Sequence, residues 1–275
     1  MINILVPTDF SNLSRVAIRY AIRFANKIDA NVTLLHVVSL IQPARASMRL
    51  RLRSVEQELV AAAEEDIAAL AAEFEKEVKT NNPLKTRVTK GPYFNEAVNR
   101  EAKKLRSGLI IMGTRGASGI KKYVIGTNTA SVIDVSSIPV LVIPELAEFK
   151  NFRNVVYATD LTHTDKELKI LIPYFLKFDS IVHLIHVTSS LKQVAAIEKL
   201  IDAIVEKAGY KNVIVRVMVN KNVDEAIQHY LDSTKADILA TFTHHYGFYE
   251  KLFDRSLTRK LAFQSKIPLL AFKHK

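Results

Sequence analysis

Four glycines frame the residues that could do chemistry. Gly113-Thr114-Arg115-Gly116-Ala117-Ser118-Gly119 follows the apolar run Leu109-Ile110-Ile111-Met112, and after a short excursion the chain reaches Gly126-Thr127-Asn128-Thr129. The apolar run reads as a buried strand, and Thr127 reads as the N-cap of a helix that occupies Ala130 to Val135. Glycines at a strand end, in a loop and at a helix threshold suit a phosphate. Backbone can approach the ligand closely there, and the free N–H groups of the helix start point at an anion that the helix dipole favours. Thr127 and Thr129 would add hydroxyl donors. The pattern lacks the Gly-Lys-Ser/Thr of a P-loop. Its spacing and its place after a late strand also differ from the dinucleotide fingerprint.

A second polar group precedes it. Ile2 to Val6 is a short apolar strand broken by Pro7-Thr8-Asp9-Phe10-Ser11. Ser11 or Asn12 can cap a helix that runs through Val16, Tyr20 and Phe24 to Ile28. Asp9 then stands just past the carboxyl end of a central strand, where open parallel sheets bind ligands. There it can accept hydrogen bonds from ribose hydroxyls or an adenine amine, or close an Asx turn of its own loop. Asn31 to Val38 is the next strand, with His36 more readily a packed histidine than a ligand.

The elements that must position these groups follow in order. A segment from about Pro43 to Lys79 starts with Arg45, Arg49, Arg51 and Arg53 and turns acidic in its middle. Its body, Val55 to Lys79, reads as an amphipathic helix, and its arginine-rich start as an exposed loop. Leu84 to Lys90 alternates like an edge strand. Asn95 to Leu105 is a third helix, and Ser136-Ser137-Ile138-Pro139-Val140-Leu141-Val142-Ile143-Pro144 carries a last strand. The order βαβαβαβαβ predicts an α/β, doubly wound parallel sheet of five strands.

Pro-Thr-Asp-x-Ser after the first strand, His-Val-Val after the second, Gly113-x2-Gly116-x9-Gly126-Thr127 after the fourth and Ile-Pro-Val-Leu-Val-Ile at the end together resemble a universal stress protein domain. The resemblance implies an adenine nucleotide alpha hydrolase-like sheet with strand order 3-2-1-4-5 and ATP, with or without Mg2+, between strands one and four. By position it implies Pro7, Thr8 and Asp9 at the ribose or adenine and Val37 lining the base. Met112 and Gly113 would back the nucleotide, and Arg115, Gly116, Gly126, Thr127 and Asn128 would hold the phosphates.

The second half repeats the first. Asn154 to Thr162 mirrors Asn3 to Ser11, Ile181 to Val187 mirrors the strand ending at Val37, Ile238 to Thr243 mirrors Ile110 and its neighbours, and Ile267 to Phe272 mirrors the last strand. The chain is thus expected to hold two tandem five-stranded sheets, in domains 1–146 and 152–275. The second copy is degenerate. Aligned without gaps back from Ile267-Pro268, Phe242 stands at Gly113, His245 at Gly116 and Arg255 at Gly126, while Ser256 keeps the hydroxyl of Thr127. Bulky groups there would fill the phosphate volume. The His244-His245 pair has no neighbour at ligand spacing, so no metal is expected.

Composition sets limits. The 275 residues carry no cysteine, which leaves no disulfide, thiolate metal site or cysteine nucleophile. No apolar run is long enough to span a membrane, and Met1 to Pro7 reads as a strand, so a cytoplasmic protein is expected. The net charge of +11 is spread over both halves, with 20 Lys+Arg against 15 Asp+Glu through Glu148 and 19 against 13 after it. No basic run is interleaved with aromatics, and neither nucleic acid nor a membrane is expected as partner. No catalytic triad or carboxylate pair stands in context. The expectation is an ATP-binding stress-response or regulatory protein with nucleotide in the first domain only. It would be no enzyme beyond slow ATP hydrolysis, and its protein partner stays unnamed. A scaffold with incidental nucleotide is the alternative. In it, Val140 to Ile143 and Leu269 to Phe272 pair within the chain as a homodimer would, with further dimerisation open. An ATP pyrophosphatase is excluded by the absence of its Ser-Gly-Gly-x-Asp-Ser loop after the first strand.

Overall fold

A computed structural model describes residues 2–39, 46–79, 82–114, 126–243 and 267–273. The chain divides into two compact units, Met1–Phe149 and Lys150–His274.

The first unit begins with β1 (Asn3–Pro7), whose Ile4, Leu5 and Val6 are at most 1% exposed. Such a continuous apolar run belongs to a strand covered on both faces. The chain then enters α1 (Asn12–Ile28), where the Ser11 hydroxyl caps the Ser14 N–H at 3.2 Å. Next come β2 (Asn31–Ser39), α2 (Ala46–Phe74), β3 (Lys85–Gly91), α3 (Phe94–Lys104), β4 (Leu109–Gly113), α4 (Thr127–Val135) and β5 (Val140–Ile143). All the recorded pairings are parallel, and the order is β3-β2-β1-β4-β5. Strand order reverses at β1, which puts a crevice between the carboxyl ends of β1 and β4.

Two boundaries differ from the sequence expectation. The arginine-rich start of the long segment is helical from Ala46, not a loop. Alanine, methionine, leucine and arginine are all strong helix formers, and no breaker stands between Ala46 and Val55. The fourth helix begins at Thr127 rather than Ala130, with Gly126 as its N-cap residue and no side-chain cap. The Gly126 carbonyl already accepts the Ala130 N–H at 3.0 Å, so Thr127 lies inside the first turn.

The second unit repeats the design with β6 (Asn154–Ala158), α5 (Thr164–Phe175), β7 (Ile181–Thr188), α6 (Val194–Ala208), β8 (Val213–Val219), α7 (Val223–Thr234), β9 (Ile238–Thr243) and β10 (Leu269–Lys273). Its strands are ordered β8-β7-β6-β9-β10, the same order counted from its own first strand. A short 3-10 turn, Leu191–Gln193, leads into α6. No described helix is long and apolar enough to cross a membrane.

Candidate nucleotide site

The loop after β1 is held by its own side chains. The Thr8 N–H extends the ladder to the Leu35 carbonyl at 2.8 Å. The Ser14 hydroxyl donates to the Ser11 carbonyl at 2.8 Å, so in the 2.9 Å contact between the two hydroxyls it is Thr8 that donates. Thr8 Oγ1 also accepts the Phe10 N–H at 3.1 Å. A carbonyl only accepts, so the 2.9 Å contact to the Thr8 carbonyl places the His36 proton on Nδ1. His36 is therefore a strut of the loop, its ring 4.5 Å from that of Phe10. Thr8 is buried, with intramolecular partners for its N–H, carbonyl and hydroxyl proton.

Asp9 is exposed at the tip. Its Oδ1 accepts the Ser11 hydroxyl at 2.6 Å and the Ser11 N–H at 3.2 Å, which is the Asx turn expected as one of its two roles. Phe10 follows at φ +64°, a left-handed conformation uncommon for a bulky residue, and the Arg15 guanidinium ties down its carbonyl. The loop is closed by its own hydrogen bonds, and Asp9 is the exposed carboxylate at its tip.

On the other side of the crevice, Met112 is buried in β4 and Gly113 is half-buried at its end. The Thr114 N–H donates to the Ile143 carbonyl at 3.1 Å, and the Thr114 carbonyl accepts the Gly126 N–H at 2.5 Å. The chain therefore returns at Gly126 to the point it left at Thr114. The Thr129 hydroxyl, expected as a ligand donor, donates instead to the Gly113 carbonyl at 2.9 Å and is buried. It pins the start of α4 to the end of β4. Thr127 and Asn128 are exposed in the first turn. The N–H groups of that turn have no acceptor within the helix. Val37 is buried in β2, two strands from Gly113, with its backbone paired to Thr89. The structure thus brings Pro7, Thr8, Asp9, Met112, Gly113, Gly126, Thr127 and Asn128 to the carboxyl edge, with Val37 near the end of the adjacent strand. Arg115 and Gly116 lie outside the described residues.

The second unit supplies an internal comparison. Its first loop is built the same way. Thr159 Oγ1 meets Thr164 Oγ1 at 2.7 Å and accepts the Leu161 N–H at 3.0 Å, Asp160 Oδ1 accepts the Thr162 N–H at 2.9 Å, and His186 Nδ1 donates to the Thr159 carbonyl at 2.9 Å. Leu161 repeats the left-handed backbone of Phe10 at φ +71°. The strand after the third helix differs. Gly113 pairs with Ile143 and Phe242 pairs with Phe272, so the ladders set Phe242 at the position of Gly113. Its ring is buried and stacks on Phe272 at 4.5 Å with 9° between planes, and it meets Tyr157 edge-on at 5.8 Å.

Tyr157 and Glu167 form a buried pair that sequence reasoning missed. The phenol donates to the carboxylate, and burial followed by the Glu167 charge pushes the phenol far above its ordinary range. One signal was available: Tyr157 replaces Val6 in an otherwise matching buried strand, and a buried hydroxyl demands a partner. His245, Arg255, Ser256 and the His244-His245 pair lie outside the described residues. Among the described residues no group of three or more His, Cys, Asp or Glu could hold a metal ion.

Comparison with known proteins agrees with this geometry. The sequence model of the universal stress protein family matches residues 1–144. Universal stress protein MJ0531 of Methanocaldococcus jannaschii is 31% identical over 144 residues, 51% of this chain and 80% of that protein. Universal stress protein Slr1230 of Synechocystis is 24% identical over 295 residues, covering 99% of this chain and all of that protein. A crystal structure of a universal stress protein from Archaeoglobus fulgidus shares the fold across 99% of this chain and 98% of its own, with TM-score 0.70 and 20% identity. With the family model spanning the whole first sheet and one relative matched from end to end, the chain belongs to the universal stress protein family.

Proposed function

We propose that the first unit binds one ATP in the crevice between β1 and β4, and that the second unit binds none. The observation that carries this reading is the convergence at one sheet edge of a carboxylate loop, Thr8-Asp9, and the first turn of α4, Gly126-Thr127-Asn128, tied to the end of β4 through Thr114. Asp9 would accept from the ribose or the adenine amine, and the buried Val37 and Met112 would form the apolar floor for the base. The first-turn N–H groups of α4, with Gly116 and Arg115 from the excursion, would hold the phosphates. Mg2+ would accompany the phosphates as their counter-ion.

ATP acts here as a ligand rather than a substrate. Asp9, the carboxylate at the crevice, is assigned in this reading to the ribose or the adenine and not to the phosphates, where phosphoryl transfer needs a positioned base. A bound nucleotide would change the surface offered to a protein partner, which is the expected mode of a stress-response regulator. In the second unit the loop frame survives while Phe242 replaces Gly113, so the Thr-Asp loop alone supports folding and the glycines distinguish the binding unit.

Titration calorimetry with ATP tests this directly. Saturable binding with trypsin protection of residues 115–125 is expected. An absence of binding at millimolar ATP would leave the glycine loop as a turn and favour the scaffold reading.

A further inference from the structure

Arg15 follows Ser14, the residue that anchors the first loop, in the first turn of α1. Its Nη1 donates to the Phe10 carbonyl at 2.5 Å. Its Nε and Nη2 form a fork on Glu73, at 3.2 Å to Oε2 and 3.0 Å to Oε1. One guanidinium therefore joins the loop that carries Asp9 to the end of α2. Glu73 is itself held against α1 by its neighbours. One turn further along both elements the Arg19 Nε meets Glu77 at 3.1 Å, the Arg19 guanidinium lies 5.2 Å from the centre of the Phe74 ring, and the Asn26 amide donates to the Glu77 carbonyl at 2.8 Å.

As a brace between two helices the Arg15–Glu73 pair contributes little. The Arg15 side chain is 32% exposed and that of Glu73 50%, and ion pairs at such exposure are largely solvated. The bond to Phe10 has a different consequence. The Phe10 carbonyl and the Ser11 N–H belong to one planar peptide group, so holding the carbonyl sets the direction of the N–H. That N–H donates to Asp9 Oδ1 at 3.2 Å. The chain of contacts thus runs from Glu73 through Arg15 and one peptide plane to the carboxylate of Asp9, across a residue held at φ +64°.

The second unit lacks the arginine. Thr164 takes the part of Ser14 through its contact with Thr159, and Asp165 follows it where Arg15 follows Ser14. An ionised aspartate has no proton to give a carbonyl. Asp160 still accepts the Thr162 N–H at 2.9 Å, so the turn forms without a cation at this place. The guanidinium belongs to the unit assigned to nucleotide. We propose that Arg15 is a positioning residue for that nucleotide: through the Phe10–Ser11 peptide it fixes the Asp9 carboxylate for the ribose or the adenine, while Glu73 aims the guanidinium. This rests on the ATP reading above and adds a second mark, besides the glycines, that separates the two units.

Arg15→Met keeps the aliphatic stem and removes the donors, and the full chain carrying it is compared with the wild type in two measurements. Amide exchange by NMR without nucleotide should show the Ser11 N–H exchanging several-fold faster while the amides of Ile18 to Ile22 in α1 stay unchanged. Titration calorimetry with ATP and, separately, with adenosine should show both weakened by the same factor of about tenfold, the size of one charge-assisted hydrogen bond, since Asp9 serves the part that the two ligands share. A mere brace would leave the Ser11 exchange and both affinities unmoved. A cation acting on the phosphates would weaken ATP and spare adenosine. Either result overturns the proposal and leaves the ATP reading standing. A wild type that binds neither ligand would overturn the ATP reading and this proposal together.

Discussion

Thr8→Val removes one buried hydroxyl and little else. In the native loop that hydroxyl donates to Ser14 at 2.9 Å and accepts the Phe10 N–H at 3.1 Å. At roughly 0.5–1.5 kcal/mol net per hydrogen bond, the two contribute about 1–3 kcal/mol. Phe10 then loses one restraint on a backbone held at φ +64°, and Asp9 loses its fixed place between Thr8 and Ser11. Thr159→Val is the matched control, because Thr159 holds Thr164 at 2.7 Å and the Leu161 N–H at 3.0 Å in the second unit. Urea unfolding should show losses of about 1–3 kcal/mol for both variants, each in the transition of its own unit if the two resolve. Calorimetry should show ATP binding weakened about tenfold or more by Thr8→Val, some 1.4 kcal/mol of loop ordering, and unchanged by Thr159→Val. Equal stability of Thr8→Val and wild type would refute the hydrogen-bond argument. Equal weakening of ATP binding by both variants would refute the assignment of the site to one unit.

Other outcomes follow from the second unit. Tyr157→Phe takes the phenol donor from the buried Glu167 carboxylate and should cost about 1.5–3 kcal/mol in urea unfolding at neutral pH, the range for hydrogen bonds to charged groups; an unshifted midpoint would mean that the bond contributes nothing. His183 is buried against Tyr230 at 2.9 Å, and burial, then the nearby Arg216, holds its pKa below the ordinary 6.5. The unfolded chain therefore takes up the proton first. The stability His183 contributes is full above pH 6.5 and is lost as pH falls from there through the depressed native value, by at most about 1.4 kcal/mol per pH unit. His183→Gln should flatten urea midpoints over that window, and an unaltered slope would assign the acid sensitivity to other groups.

The repeated strand order was legible because buried parallel strands read as apolar runs and helices as 3.6-residue stripes, as at Ile4 to Val6 and along α1. Phe242 could be set at Gly113 from Ile267-Pro268 because no gap separates them, and the ladders agree. What was not legible lay in hydrogen-bond partners. Thr129 looked like a ligand donor because its distance from the Gly113 carbonyl, 16 residues back in sequence, depends on how α4 returns to β4. Asp9 could be read as ligand or turn former, and its bonds to Ser11 show that the turn exists without deciding what else the carboxylate meets. The arginines of α2 suggested an exposed loop through their charge, while their strong helix propensity prevailed.

The central claim is one nucleotide per chain, held by the first unit. Equilibrium dialysis with ATP tests it most directly, run on the wild type and on Gly126→Arg, which places an arginine at the N-cap of α4 as the second unit's sequence does at Arg255. Gly126 sits at φ −60° and ψ 147°, a conformation any residue adopts, so the variant should fold while its side chain takes up space at the helix start. One ATP per chain is expected for the wild type and none for the variant. Two ATP per chain, or one that survives in Gly126→Arg, would contradict that claim.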